Sequence, residues 1–248
     1  MRPEEALTTR PKRVALIGLG MSAGEYVTAV TASACGETFD EVWTVNAGLA
    51  IFRHDKAFVM DDLRVQAKAM PPYGYALATH DRPIITSQPY PEFPMSVRYP
   101  IEPVIEKIGD DFFSNTVAYA IAYGILIGVK QLSLYGCDFW YPQQEAREEG
   151  GQNAAYLLGM ARHFGMSFRL PQSTTLLSAH GAKLVNGRPT RTLYGYAVQP
   201  EFPPAPATKE TSSEPDASQG PRVPARPEHD GSAPRQDDPL RAAQGVGG

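Results

Sequence analysis

The run Val14-Ala-Leu-Ile17 breaks at once into Gly18-Leu-Gly20-Met-Ser22, and the stretch from Ala23 to Ala34 then reads as a helix. Strand, glycine turn and helix in direct succession form the opening unit of a parallel sheet, because parallel neighbours must be joined by a crossover. The pattern repeats. Strands are expected at Glu41 to Val45, ending on Asn46-Ala-Gly48; at Ala57 to Met60, ending on Asp61-Asp62; and at Ile84-Ile85, ending on Thr86-Ser87. Ser114-Asn-Thr116 caps an apolar helix from Val117 to Gly128, and Gln131 to Tyr135 makes a strand that stops at Gly136-Cys-Asp138. A helix from Gly151 to Phe164 with Gly165 as its stop, then a strand from Ser167 to Leu170, close the series. Pro89, Pro91, Pro94, Pro100 and Pro103 crowd Gln88 to Pro103, which reads as a loop or lid, and the segment after Gly187 is too irregular to assign. The expected class is α/β, Rossmann-like, a mainly parallel sheet with helices on both faces.

Composition sets the domain boundary. Ten of the 23 prolines lie from Pro200 onward, with Phe202 the one aromatic residue there. Such a segment buries too little apolar surface to offset an ordering cost of roughly 1–2 kcal/mol per residue, so residues 12–198 are expected to fold as one domain and 199–248 to form a disordered tail. The net charge is −4, and the tail holds five basic against eight acidic residues, which leaves the folded part near neutral without a basic stripe. A large nucleic-acid footprint is therefore not indicated. The two cysteines, Cys35 and Cys137, fit no zinc spacing and read as buried thiols of a reducing compartment. With no apolar leader and no stretch long enough to span a bilayer, the expectation is a cytoplasmic protein that does not enter membranes.

In an open parallel sheet, ligands bind beyond the carboxyl ends of the strands. That rule selects Gly18, Gly20, Ser22, Asn46, Asp61, Asp62, Ser87, Ser114, Asn115, Thr116 and Asp138. The glycines would let backbone approach a phosphate at the start of a helix, with Ser22 adding a hydroxyl. Asp61 and Asp62 could hold a magnesium ion bridging phosphates. Gly18-Leu-Gly20-Met-Ser22-Ala23 also fits the G-x-G-x-x-G/A pattern of NAD-binding domains, but Asn46 stands where such a domain needs an acid, which argues against NAD. Asp138, followed by Trp140 and Tyr141, could accept bonds from a sugar hydroxyl beside a stacking surface.

The order of Gly18-x-Gly20-x-Ser22, Asn46, the Ser114-Asn-Thr helix start and Leu134-Tyr-Gly-Cys-Asp-Phe-Trp140 resembles the bacterial sialyltransferase-like superfamily. That superfamily also includes archaeal 6-hydroxymethylpterin pyrophosphokinase-like proteins, and small proteins of this kind are common in bacteriophages. The resemblance covers about residues 13 to 178. It implies that Gly20, Ser22, Asn46 and Ser114 hold a cytidine nucleotide sugar and that Tyr141 meets its phosphate. The sialyltransferases carry a histidine general base just ahead of the last long helix, where this chain has Glu148 and Glu149. A carboxylate can take a hydroxyl proton when burial raises its pKa, so these two become the candidate base. His54, beside Arg53, and His163 are further candidates.

Three functions follow as expectations. The first is a glycosyltransferase using a CMP- or UDP-sugar, with a modified nucleobase or a glycan as acceptor. The second is a diphosphotransferase using ATP and magnesium on Asp61 and Asp62. The third is a nucleotide-binding module without catalysis.

Overall fold

A computed structural model describes residues 3–31, 38–139, 144–177, 183–185 and 188–190, with the backbone alone described at 6, 144–148, 183–185 and 188–190. The chain divides at Gln199/Pro200, so the tail expected beyond residue 198 lies outside the described residues, as do Cys35, Trp140 and Tyr141.

The strands are β1 (Arg13–Ile17), β2 (Glu41–Val45), β3 (Lys56–Phe58), β4 (Ile84–Thr86), β5 (Ser96–Arg98), β6 (Gln131–Tyr135) and β7 (Ser167–Arg169). They form one seven-stranded sheet in the order β5-β4-β3-β2-β1-β6-β7, and every pairing is parallel. The chain builds outward from β1 in one direction as far as β5, then crosses back to the other side of β1 for β6 and β7. The switch point therefore lies between β1 and β6, the place beyond which open parallel sheets bind their ligands. A separate antiparallel pair joins β8 (Lys183–Val185) to β9 (Arg188–Thr190), and β9 lies in the segment after Gly187 left unassigned from the sequence.

Among the described residues six α-helices accompany the sheet: α1 (Gly24–Thr31), α2 (Leu63–Ala69), α3 (Pro71–Ala78), α4 (Ile101–Ile108), α5 (Thr116–Ile127) and α6 (Gln144–His163). Strand alternation sorts them onto two faces. Ala57, Val59 and Ile84 pack with Leu63, Tyr73 and Leu77 of α2 and α3. Phe58 and Ile85, pointing the other way, join Trp43, Val104 and the apolar residues of α5 and α6. Helix α5 is apolar on nearly all sides and lies in the middle of that second cluster, as a fully covered helix must. Asn115 caps it by accepting from the Ala118 amide, and Gly128 ends it in the left-handed conformation.

The proline-rich stretch is more regular than expected. Within Gln88 to Pro103 the structure has β5 and the start of α4. Pro94 and Pro100 flank β5, which pairs on one side only at the sheet edge, and Pro103 falls in the first turn of α4, where an amide hydrogen lacks a helical partner in any case. Helix α6 begins earlier than expected, running through Gly150-Gly151.

His54 and His80 precede β3 and β4 and so lie at the amino edge of the sheet. His54 is buried; its Nδ1 lies 2.7 Å from the Phe52 carbonyl and its Nε2 3.0 Å from Nε2 of His80. Since Nδ1 must donate to the carbonyl, Nε2 of neutral His54 accepts and His80 donates. Desolvation lowers both pKa values, that of His80 to about 4. The unfolded chain therefore takes up protons first as pH falls from 6.5, and stability is lost through the window down to about 4. Urea denaturation over this range should show a loss of roughly 2 kcal/mol that His80→Gln largely removes. An unchanged profile in the variant would show that the pair does not set it.

Candidate functional site

The loops leaving β1 and β6 are pinned to each other. The Gly18 amide donates to the Tyr135 carbonyl at 2.7 Å and the Gly20 amide to the Gly136 carbonyl at 2.8 Å. Ser22 is fully buried; its amide donates to Oδ2 of Asp138 at 2.8 Å, its hydroxyl donates to Oδ1 at 2.5 Å, and the same hydroxyl accepts from the Gly136 amide at 2.8 Å. A Cβ at Gly18 would collide with the Gly136 carbonyl, and one at Gly20 with that carbonyl and the Asp138 carboxylate. The two glycines are needed for backbone approaching backbone.

Above this junction opens a cavity of about 480 Å³ lined by Gly18, Leu19, Gly20, Val45, Asn46, Asp61, Ser114, Asn115, Thr116, Val117, Gly136, Cys137, Asp138 and Phe139. The structure thus brings Gly18, Gly20, Asn46, Asp61, Ser114, Asn115, Thr116 and Asp138 to one concavity at the switch point, from the ends of β1, β2, β3 and β6 and the start of α5. The N-terminus of α5 faces it, and intrahelical bonding leaves the amides of Thr116 and Val117 open there. Asn46 holds a left-handed backbone with φ of 51°, and its Oδ1 is buried without a partner in the protein. Among the described residues this is the buried, unsatisfied acceptor that lines the cavity.

Several residues singled out by sequence stand elsewhere. Ser22 lies behind the wall as a cross-link, because both of its polar atoms are taken by the β6 loop. The amides of Gly18 and Gly20 are likewise spent on β6, so the turn does not present them to a phosphate. Asp62 caps α2, accepting from the Arg64 amide at 2.8 Å, and only Asp61 of the pair lines the cavity. One Asp62 oxygen is thus committed to the helix, and among the described residues no three His, Cys, Asp or Glu side chains are grouped to hold a metal ion. Ser87, exposed after β4, is not part of the lining. Arg53 and His54 belong to the opposite, amino edge, and His163 is exposed in the last turn of α6. Glu149 is exposed on α6 outside the lining; Glu148 is in the same helix, its side chain outside the described residues, and Tyr141 is also outside them. Cys137 is buried, and desolvation pushes its thiol up to about 12, which suits packing and not nucleophilic attack.

Sequence reasoning missed Phe139, Val117 and, behind the wall, Asn153. Fully buried Asn153 occupies the stripe of α6 that continues through Ala154, Leu157, Leu158 and Ala161. A polar residue in an apolar stripe was the available signal.

No family model matches the chain, and no curated protein does. Solved structures do. The sialyltransferase CstII from Campylobacter jejuni bound to CMP-3FNeuAc is similar at 14% identity over 67% of this chain and 84% of that one, with a TM-score of 0.48. The same enzyme with cytidine-5'-monophosphate gives 15%, 67%, 82% and 0.44. An α-2,3-sialyltransferase from Campylobacter jejuni in apo form gives 13%, 73%, 83% and 0.42. These are likenesses of backbone course alone. No described helix is long and apolar enough to cross a membrane.

Asp138→Ala would leave two Ser22 donors buried and unpaired. It should cost about 2–4 kcal/mol in chemical denaturation, since each stranded donor loses about 1–3 kcal/mol. A cost below about 1 kcal/mol, the worth of a single ordinary hydrogen bond, would show that the two loops hold together without it.

Proposed function

We propose that the chain is a glycosyltransferase that draws a sugar from a cytidine or uridine nucleotide donor held in the switch-point cavity. The observation that carries this reading is the unsatisfied Oδ1 of Asn46 inside a cavity walled by the start of α5. A buried acceptor without a partner asks for a ligand N–H or O–H, while the open helix amides suit an anionic or electron-rich oxygen. A nucleotide sugar carries both kinds of group. The order of motifs along the sequence supports the same class.

In the proposed reaction the acceptor oxygen attacks the anomeric carbon of the donor sugar as the bond from that carbon to the phosphate oxygen breaks. The nucleotide leaves with the electron pair, and the acceptor proton passes to Glu148 of α6, Glu149 being exposed outside the lining. A modified nucleobase or a surface glycan, as a bacteriophage-type enzyme would use, is the acceptor class in view. The ATP and magnesium reading is weaker, because Asp62 is committed to capping α2.

A thermal-shift screen of cytidine and uridine sugars, with and without magnesium, tests this reading. A donor at 100 times its Kd should add about 2.7 kcal/mol of stability without needing the metal. Stabilisation by ATP with magnesium alone would replace the reading with the diphosphotransferase one. Replacing Glu148 with Gln should keep donor affinity and lower turnover by about 10²–10⁴-fold; unchanged turnover would remove it from the role of base.

A further inference from the structure

The amide of Asn153 has one possible orientation. Its Nδ2 donates to the Phe112 carbonyl at 2.7 Å, so its Oδ1 faces the other way and accepts from the Ser114 amide at 2.8 Å. The same Oδ1 lies 3.2 Å from the Ser114 hydroxyl and 3.4 Å from Nδ2 of Asn115. An amide oxygen has two lone pairs and no proton; the Ser114 amide takes one, and the Ser114 hydroxyl, nearer than Nδ2 of Asn115, gives its proton to the other. The orientation of Asn115 is fixed as well. Its Oδ1 accepts from the Ala118 amide at 3.0 Å, and its two Nδ2 hydrogens are shared among the Gly150 carbonyl at 3.3 Å, the Ser114 oxygen at 3.4 Å and Oδ1 of Asn153 at 3.4 Å. Ser114, an exposed residue of the cavity lining, is left with one free lone pair and no proton to give.

We infer that Asn153 is a positioning residue that makes Ser114 a pure hydrogen-bond acceptor. The ligand accordingly meets this wall with an N–H or O–H group, such as a base amino group or a ribose hydroxyl, and not with a phosphate oxygen. This rests on the nucleotide reading of the cavity and adds to it which face of the nucleotide lies against α5 and α6. Asn153 itself does not line the cavity. It acts through Ser114 and through Phe112, tying a single residue of α6 to two points of the loop that leads into α5.

The test is a double-mutant cycle on the full chain with CMP as probe, read by isothermal titration. Ser114→Ala should weaken CMP by about fivefold or more in the parent, since a ligand donor is then stranded. In an Asn153→Ala background, where the Ser114 hydroxyl is free to turn, the same substitution should change affinity by less than about twofold, because the coupling is lost. Equal effects in both backgrounds would overturn the inference and leave the nucleotide reading standing. Should Asn153→Ala fail to fold, CMP, UMP, 2′-deoxy-CMP and 3′-deoxy-CMP titrated against the parent and Ser114→Ala decide the matter. One analogue should be indifferent to the substitution, and the group it lacks is the one that meets Ser114. An equal loss for all four overturns the inference. No binding of CMP or any analogue to the parent overturns the nucleotide reading and the inference with it.

Discussion

The short hydrogen bonds from Ser22 to Asp138 hold together the two halves of the molecule that the topology separates. Parallel strands β1 and β6 are neighbours, but 113 residues lie between Ile17 and Gln131. Past the last ladder bond nothing in a parallel sheet obliges the two loops to stay close. A carboxylate that is almost fully buried is costly unless its oxygens are satisfied, and here each oxygen takes one Ser22 donor. The cost of burial becomes a constraint: Asp138 can sit where it does only if Ser22 is beneath it, and Ser22 can be there only if the β1 loop is glycine at 18 and 20. The β6 loop is thus placed by the β1 loop, and the floor of the cavity is placed by both.

This changes what the glycine turn is for. In a dinucleotide fold such a turn leaves its amides free for a pyrophosphate, and the glycines permit the ligand to come close. In this chain the same residue pattern admits another stretch of backbone in place of a ligand, and the helix whose free amides open onto the cavity is α5. That assignment agrees with the burial of the two helices. Helix α5 is packed on nearly all sides and its N-terminus points into a fixed place, whereas α1 has no buried residue.

The sheet could be read from the sequence because buried parallel strands are short apolar runs stopped by polar residues, and β1, β2 and β6 carry that signature within a residue of their ends. Helices α2 and α3 were not legible. Only Leu63, Tyr73 and Leu77 of the two are buried, and a shallow cover of this kind leaves too few apolar positions to define a helical period. Proximity to strand ends found most of the cavity but could not say which way a side chain points. Asp61 and Asp62 look equivalent in sequence, yet one lines the cavity and the other caps a helix. Ser22 and Ser114 look alike too, and only hydrogen-bond partners separate a buried cross-link from a cavity wall. Long-range pairs such as Ser22 with Asp138, or Asn153 with Ser114, leave no trace in local pattern, because each member is an ordinary polar residue until the other is known.

Backbone strain marks the same place independently. Among the described residues three non-glycine positions have left-handed φ angles, and two of them, Asn46 and Phe139 at 51° each, line the cavity. For asparagine the conformation is inexpensive; for a buried phenylalanine it costs about 1 kcal/mol or more. Such a residue stays in place only if its surroundings determine it. Phe139 directly follows the pinned Asp138, and its ring is packed into the main core cluster. Strain held in this way sets the shape of the wall before any ligand arrives. A ligand entering a cavity whose floor is cross-linked and whose wall is fixed through Asn153 has little protein ordering to pay for, and more of its contact energy appears as affinity.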